Sequence, residues 1–163
     1  HFIGTDYAPP PLARPSVLPV AAEEGVSDLV AEHPARVPYY DALHYLARAD
    51  AILLVGSDDP TYSASKLFPC LLARRPLLLV AHPGSLMLEL ARAQGVATAY
   101  GFPPAPEDFT PLAAHIRDHA FLAGRLLVTP AGDAAGLATH TAAGMTRRLA
   151  AIFDASVSAP TSA

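Results

Sequence analysis

Hydrophobic residues fall into short continuous runs along the chain. Residues 51–55 (Ala-Ile-Leu-Leu-Val) and 77–81 (Leu-Leu-Leu-Val-Ala) form two such runs. Runs of this kind are typical of strands that are buried on both faces, as in parallel sheets. Residues 67–73, between the runs, predict a short helix that ends before Pro76. We therefore predict a strand, a loop, a helix and a second parallel strand, which is the repeating unit of an α/β sheet.

The same pattern extends over the rest of the chain. Further strands are predicted over residues 2–5 and 96–100, a less regular extended segment over 26–31, and helices over 17–24, 42–48, 86–94, 109–121 and 138–155. Asp41 and Ser85 are predicted N-caps, and Gly95 is the predicted residue that ends the helix after Ser85. The predicted fold is α/β: a doubly wound and mostly parallel sheet with helices on both faces. One domain over residues 1–155 and a disordered tail over 156–163 are expected.

Composition narrows the function classes. The chain has 163 residues, of which 52% are hydrophobic and 16% charged, with a formal net charge of −4. This acidic balance gives no reason to expect nucleic acid or an anionic membrane as a partner. No signal peptide and no apolar run near the ~20 residues of a membrane span are present, so no transmembrane segment is predicted. The single cysteine, Cys70, is interpreted as a small buried hydrophobic residue, and its isolation fits a cytoplasmic location.

The loop after the first of the two apolar runs carries the most informative polar residues. Gly56, Ser57 and Asp58 follow the strand, and Ser63, Ser65 and Lys66 precede the predicted helix; Lys66 is the only lysine of the chain. A strand, a glycine-containing loop and a helix start present free backbone N–H groups to an anion. Lysine is a compact, movable charge that suits phosphate. We interpret this loop as a phosphate-binding site.

Two other predicted strand ends carry candidate binding residues. Gly4 and Thr5 follow the first strand, where the glycine serves either a close approach of a ligand or a plain turn. Val37, Pro38 and Tyr39 precede a predicted helix, and Tyr39 either stacks on a base or covers the edge of the core. Ligands of open α/β sheets bind at the carboxyl ends of the strands. These residues and the loop are therefore expected to converge on one ligand.

Several known motifs are absent or incomplete. The loop lacks the glycines of a Walker phosphate loop, and the first strand lacks the dinucleotide glycine fingerprint. His115 and His119 are spaced as neighbours on a helix but lack the third ligand of a zinc site, so they are interpreted as solvent-facing. Asp58 and Asp59 are adjacent and would point to opposite sides, which favours capping or hydroxyl binding over an acid/base pair.

One family resemblance covers nearly the whole chain. It rests on Arg36-Val37-Pro38-Tyr39, Ala49-Asp50-Ala51, Gly56-Ser57-Asp58, Ser65-Lys66-Leu67-Phe68 and Arg75-Pro76-Leu77. These residues resemble the C-terminal, donor-binding domain of GT-B-fold glycosyltransferases, the "glycosyltransferase group 1"-like enzymes. The resemblance implies a Rossmann-like domain, one half of a GT-B fold, that binds a nucleotide diphosphate-sugar as donor with the base against residues 37–39. It implies that the diphosphate lies between Gly4-Thr5 and the helix start, where Ser63, Ser65 and Lys66 donate.

The resemblance has further implications and two departures. It implies no metal and no cofactor besides the donor, and a missing N-terminal acceptor-binding domain through which the protein could associate with a membrane. Because His1-Phe2-Ile3-Gly4 opens as a strand without an initiating Met, we expect a fragment of a longer protein. A glutamate pair that many relatives carry is replaced here by Thr61 and Pro69, and the Arg and Lys that many place after the first strand are missing, so no catalytic residue is assigned. A GT-B-fold sugar epimerase and a non-catalytic nucleotide-binding or interaction module remain alternatives.

Overall fold

A computed structural model describes residues 1–62, 65–103, 108–125 and 134–158, with the backbone alone for 134, 135 and 158. It divides into two compact units, His1–Arg48 and Ala49–Ala163. The sequence predicted one domain over residues 1–155. Each unit contains its own small parallel sheet, which makes the chain an α/β protein compatible with a Rossmann-like fold.

The first unit is built on two short strands. It contains, in order, β1 (Phe2–Ile3), α1 (Leu18–Glu23), a 3-10 turn (Ser27–Leu29), β2 (Glu32–His33) and α2 (Tyr39–Arg48). β1 and β2 are parallel, with Phe2 opposite Glu32 and Ile3 opposite His33. The extended segment predicted over 26–31 is therefore wrong in position, because residues 27–29 form the turn and the strand follows it. α2 begins three residues before the predicted start, so Asp41 lies in its first turn and is not its N-cap.

The second unit is built on a three-stranded parallel sheet. Its elements are β3 (Ile52–Val55), α3 (Leu67–Leu72), β4 (Leu77–Ala81), α4 (Leu86–Ala93), β5 (Ala99–Gly101), α5 (Thr110–Ile116), a π-helical segment (Arg117–Leu122), α6 (Ala134–Leu137), a 3-10 turn (Ala138–His140) and α7 (Ala142–Ser158). The strand order is β3-β4-β5. Ser85 caps α4 as predicted, since its side chain accepts a hydrogen bond from Leu88 N. Gly95 has the predicted left-handed backbone, with φ of +79°.

The two faces of this sheet differ in burial. Residues 52, 54, 77, 79, 81 and 99 share one face, and their side chains are at most 7% exposed. Crossovers that advance in one direction place α3 and α4 on the same face, and their apolar residues complete the core: Leu67, Cys70, Leu71, Met87, Leu88 and Ala91. On the opposite face, Leu53 is 50% and Val55 59% exposed. The prediction that β3 is buried on both faces is thus wrong.

The last helix begins and ends later than predicted over 138–155. α7 begins at Ala142 and continues to Ser158, so residues 156–158 of the predicted tail are helical; the remaining tail residues lie outside the described part. The predicted apolar face of α7 is present, but Met145, Leu149, Ile152 and Phe153 are each more than half exposed. Within the described part of the chain, no helix is both long enough and apolar enough to cross a membrane.

Candidate functional site

The carboxyl ends of β3, β4 and β5 form one polar edge. Backbone hydrogen bonds continue past the strands, from Gly56 N to Val80 O (2.8 Å) and from His82 N to Ser57 O (3.2 Å). Phe102 N donates in the same way to Ala81 O at 2.8 Å. These bonds bring Gly56, Ser57 and His82 to one edge, where open α/β sheets bind ligands.

Gly56 is required for packing beneath α4. A Cβ built at this position would lie 2.7 Å from the Ala81 Cβ and 2.7 Å from the Met87 Cε. Its N–H is taken by Val80 O. Gly56 therefore lets the chain pass close to α4 and turn outward, and its own N–H is engaged in the sheet.

Two aspartates shape the loop that follows. The Asp59 carboxylate accepts hydrogen bonds from Thr61 N (2.8 Å) and the Thr61 hydroxyl (2.7 Å). These bonds, with the nearby His82, lower the pKa of Asp59. The Ser57 hydroxyl accepts from Asp59 N and donates to Asp58 at 3.2 Å. Asp59 thus closes a local turn by accepting a backbone N–H and a hydroxyl group, which agrees with the capping or hydroxyl-binding roles predicted for these aspartates.

His82 is a site residue that the sequence reasoning missed. Its Nδ1 accepts a hydrogen bond from Gly84 N at 3.0 Å, so the neutral ring carries its proton on Nε2. A histidine held in this way offers one oriented N–H donor. The sequence treated residues 82–84 only as a turn, although position 82 directly follows the central strand, which is the signal that points to the sheet edge.

Ser65 and Lys66 stand at the beginning of α3 and are exposed. Lys66 occupies the N-cap position and makes no side-chain capping bond. Because α3 has only six residues, its dipole is small, and the cationic charge here comes from Lys66 itself. Ser63, predicted to donate beside them, lies outside the described residues.

A small cavity opens beside Ser65. Its volume is about 230 Å³, and it is lined by Ser65, Leu67, Phe68, Leu86, Met87, Leu90 and His140. The His140 and Phe68 rings lie 5.2 Å apart. Ligand sites usually measure ~300–1,000 Å³, so this cavity can accept only part of a nucleotide-sized ligand.

In the first unit, Gly4 and Thr5 are engaged within the protein. Gly4 has φ of +70°, and its N–H donates to His33 O at 2.8 Å. The Thr5 hydroxyl donates to the Glu32 carboxylate at 2.5 Å. Glu32 also accepts hydrogen bonds from the backbone N–H groups of Ser16, Val17 and Leu18. A phosphate at Thr5 would lie beside this carboxylate and compete with it for the hydroxyl proton.

The electrostatics of Glu32 follow from these bonds. Partial burial acts to raise its pKa, but the hydrogen bonds from Thr5 and the three N–H groups outweigh burial and lower the pKa to about 2. Glu32 is therefore a fixed negative charge that orders the loop before α1. Sequence reasoning could not find it, because Thr5 and Glu32 are 27 positions apart.

Val37, Pro38 and Tyr39 lie at the start of α2. Tyr39 is 67% exposed, so it does not cover the edge of the core. Its ring meets the exposed Tyr40 ring edge-on at 5.6 Å. The Arg36 guanidinium lies 4.6 Å from the centre of the Tyr7 ring. Arg36 is thus a cation close to these residues, and it was not among the predicted site residues.

The predicted site residues thus belong to different units. Gly4, Thr5 and residues 37–39 are in the first unit, whereas residues 56–58, Ser65 and Lys66 are in the second. Cys70 is buried as predicted, and burial raises the pKa of its thiol to about 11. Among the described residues, no group of three or more His, Cys, Asp or Glu side chains could hold a metal ion.

The comparisons with known proteins add no further assignment. No family model matches the chain, and neither a curated protein nor a solved structure matches it.

Proposed function

We propose that the chain binds a nucleotide diphosphate-sugar and forms the donor-binding part of a GT-B-fold glycosyltransferase. The observation that supports this most directly is the polar edge of the three-stranded sheet, where Ser57 and His82 are joined by a backbone hydrogen bond of 3.2 Å. Such an edge is the usual ligand site of parallel α/β sheets. The resemblance described above supplies the ligand class.

Charge divides this edge into two parts with different ligand preferences. Lys66 and the Ser65 hydroxyl can donate to phosphate oxygens, and a charge-assisted bond from lysine is the stronger of the two. Asp58 and Asp59 repel phosphate but accept hydrogen bonds from hydroxyl groups. In the proposed complex, the diphosphate binds at Lys66, and the sugar or ribose hydroxyls bind at the aspartates and the His82 N–H.

This arrangement favours departure of the nucleotide. In the proposed transfer, the bond between the sugar anomeric carbon and the diphosphate oxygen breaks, and its electron pair stays on the diphosphate. The acceptor hydroxyl forms the new bond and loses its proton. Lys66 stabilises the charge that develops on the leaving group, which is how a fixed cation accelerates such a step.

The proposal is tested by titrating the protein with UDP-, GDP- and TDP-sugars in a calorimeter. We expect binding of at least one donor, and Lys66→Ala should weaken it by about 1.5–3 kcal/mol, the range for hydrogen bonds that involve a charged group. Arg147→Ala, which removes an exposed cation from α7, is the matched control and should leave the affinity unchanged.

Three results would contradict parts of this proposal. If no donor binds, the proposed nucleotide site is wrong. If free nucleotide and nucleotide-sugar bind with equal affinity, the aspartates and His82 do not recognise the sugar. An unchanged affinity in Lys66→Ala would show that the diphosphate does not bind at this lysine.

A further inference from the structure

Two histidines and a buried tyrosine form a cluster on the sheet face opposite α3 and α4. The Tyr100 hydroxyl lies 2.7 Å from His119 Nδ1. His115 and His119 stack with ring centres 5.3 Å apart and planes only 11° from parallel. Tyr100 meets both imidazoles edge-on. His115 is exposed as predicted, whereas His119 is partly buried.

The cluster joins two elements of the second unit. Tyr100 belongs to β5 and is 6% exposed, and His119 belongs to the π-helical segment. Ala120, next to His119, is fully buried. These contacts hold the segment over 110–122 against β5, on the face that is exposed at Leu53 and Val55.

The hydrogen bond depends on the protonation state of His119. Burial raises the pKa of Tyr100, so its hydroxyl keeps its proton, and it can donate to Nδ1 when His119 is neutral with its own proton on Nε2. A second proton on His119 would occupy Nδ1, so the hydroxyl could then only accept from that nitrogen. Protonation therefore reverses this bond and forces the hydroxyl to turn beside a charged, partly buried ring.

The groups that face His119 oppose its protonation. Partial burial and the positive charges of Arg125 and His115 lower the pKa of His119. The nearby carboxylate of Asp118 is paired with Arg117 at 2.7 Å. The His115 ring stacks on His119, so a proton added to His119 places its charge against this neighbouring imidazole.

We propose that Tyr100, His115 and His119 form a pH-sensitive latch that holds residues 110–122 against β5 and releases them when His119 becomes protonated. Because the folded-state pKa of His119 lies below its unfolded value, the stabilisation is fully present above the unfolded value of ~6.5. It is lost as the pH falls through and below that value. Release would uncover Tyr100 and extend the exposed apolar face of the sheet.

The latch is tested by hydrogen–deuterium exchange of the full chain at pH 7.5 and 5.5, corrected for the pH dependence of intrinsic exchange. Residues 110–122 should lose protection by up to about tenfold between these two pH values, the most that one histidine with an unfolded pKa of ~6.5 can contribute over this range. α4, which contacts the other face, should keep its protection. His119→Gln should keep residues 110–122 protected at both pH values, because an amide oxygen can accept from Tyr100 and does not titrate.

His44→Gln provides the matched control, since His44 is an exposed histidine of α2, and it should behave like the unmodified protein. Loss of protection in His119→Gln equal to that of the unmodified protein would overturn the proposal. If the exchange protection of residues 110–122 in the unmodified protein does not change with pH, the proposal is also overturned. Histidine titration by NMR gives a test that needs no variant: a His119 pKa at or above the ordinary value of ~6.5 would refute the latch.

Discussion

Each unit places a glycine and hydroxyl-bearing residues after a parallel strand, but the two units use these groups differently. In the first unit, the Gly4 N–H and the Thr5 hydroxyl are both bonded within the protein. In the second, Ser65 and Lys66 remain exposed at the start of α3. Both glycine N–H groups are bonded to a neighbouring strand, Gly4 to His33 O and Gly56 to Val80 O. The difference lies in the hydroxyl, because the Glu32 carboxylate accepts from Thr5 in the first unit. A glycine and a hydroxyl after a strand are therefore insufficient to define an anion site; the neighbouring strand decides whether the donors remain available.

The two glycines sharpen this comparison because they are needed for different reasons. A Cβ at Gly4 would have no neighbour closer than 3.8 Å. A side chain there would be unfavourable because the backbone φ is +70°, in the left-handed region. A Cβ at Gly56 would collide with the Ala81 side chain and the Met87 side chain at 2.7 Å. The first glycine supports a turn, and the second supports close packing.

The largest expected effect is that of Gly56→Ala. Overpacking of a filled core costs typically 1–3 kcal/mol, and displacement of Met87 would also move the start of the site loop. Gly4→Ala should cost about 1–2 kcal/mol, the penalty of a left-handed backbone at a residue with a side chain. Urea unfolding followed by circular dichroism measures both. A smaller loss for Gly56→Ala than for Gly4→Ala would show that α4 shifts freely, and the packing role of Gly56 would then be wrong.

A second effect should appear in acid, at the loop before α1 in the first unit. The pKa of Glu32 is lowered to about 2 from its ordinary value of 4.5, so its stabilisation is present above pH 4.5 and is lost as the pH falls toward 2. We expect Glu32→Gln to reduce the exchange protection of the Val17 and Leu18 amides by about tenfold at neutral pH, since bonds to a charged acceptor are lost. The variant should also respond less to pH below 4.5.

Glu23→Gln is the control for this effect, because Glu23 is an exposed carboxylate of α1. It should change neither the protection of these amides nor the acid response. If the two variants behave alike, Glu32 does not order the loop, and the contrast between the two units loses its basis.

Local sequence signals predicted the second unit better than the first. The run at 77–81 coincides with β4, and the capping by Ser85 and the glycine at 95 are confirmed, because each depends on residues close in sequence. The start of α2 was misplaced, since Asp41 was a suitable N-cap in sequence but Pro38 already permits a helix to begin at Tyr39. Proline is tolerated in a first turn because the N–H it lacks would be unpaired there.

Features that depend on distant contacts could not be predicted. The exposure of Leu53 and Val55 follows from the strand order β3-β4-β5, which a hydrophobic run does not reveal. Of the candidate site, the loop at Gly56-Ser57-Asp58 and the position of Lys66 were accessible from the strand–loop–helix pattern. The partners of Thr5 and His119 were not, since Glu32 and Tyr100 lie far from them in sequence.

The smallest expected effect tests the comparison directly on ligand binding. Both Thr5 and Ser65 were predicted to bind the diphosphate. Two variants that each remove one hydroxyl group compare their contributions to donor affinity. If the Thr5 hydroxyl remains with Glu32, Thr5→Val should disturb the loop before α1 and leave donor affinity unchanged. Ser65→Ala should weaken donor binding by about 0.5–1.5 kcal/mol, the net value of a neutral hydrogen bond, without changing the unfolding midpoint. Calorimetry gives the donor affinity of each variant, and urea unfolding gives its unfolding midpoint. Hydrogen exchange gives the protection of residues 16–18. If Thr5→Val weakens donor binding but leaves the protection of residues 16–18 unchanged, Thr5 is a ligand-binding residue. Its hydroxyl would then exchange its bond to Glu32 for a bond to phosphate when the donor binds.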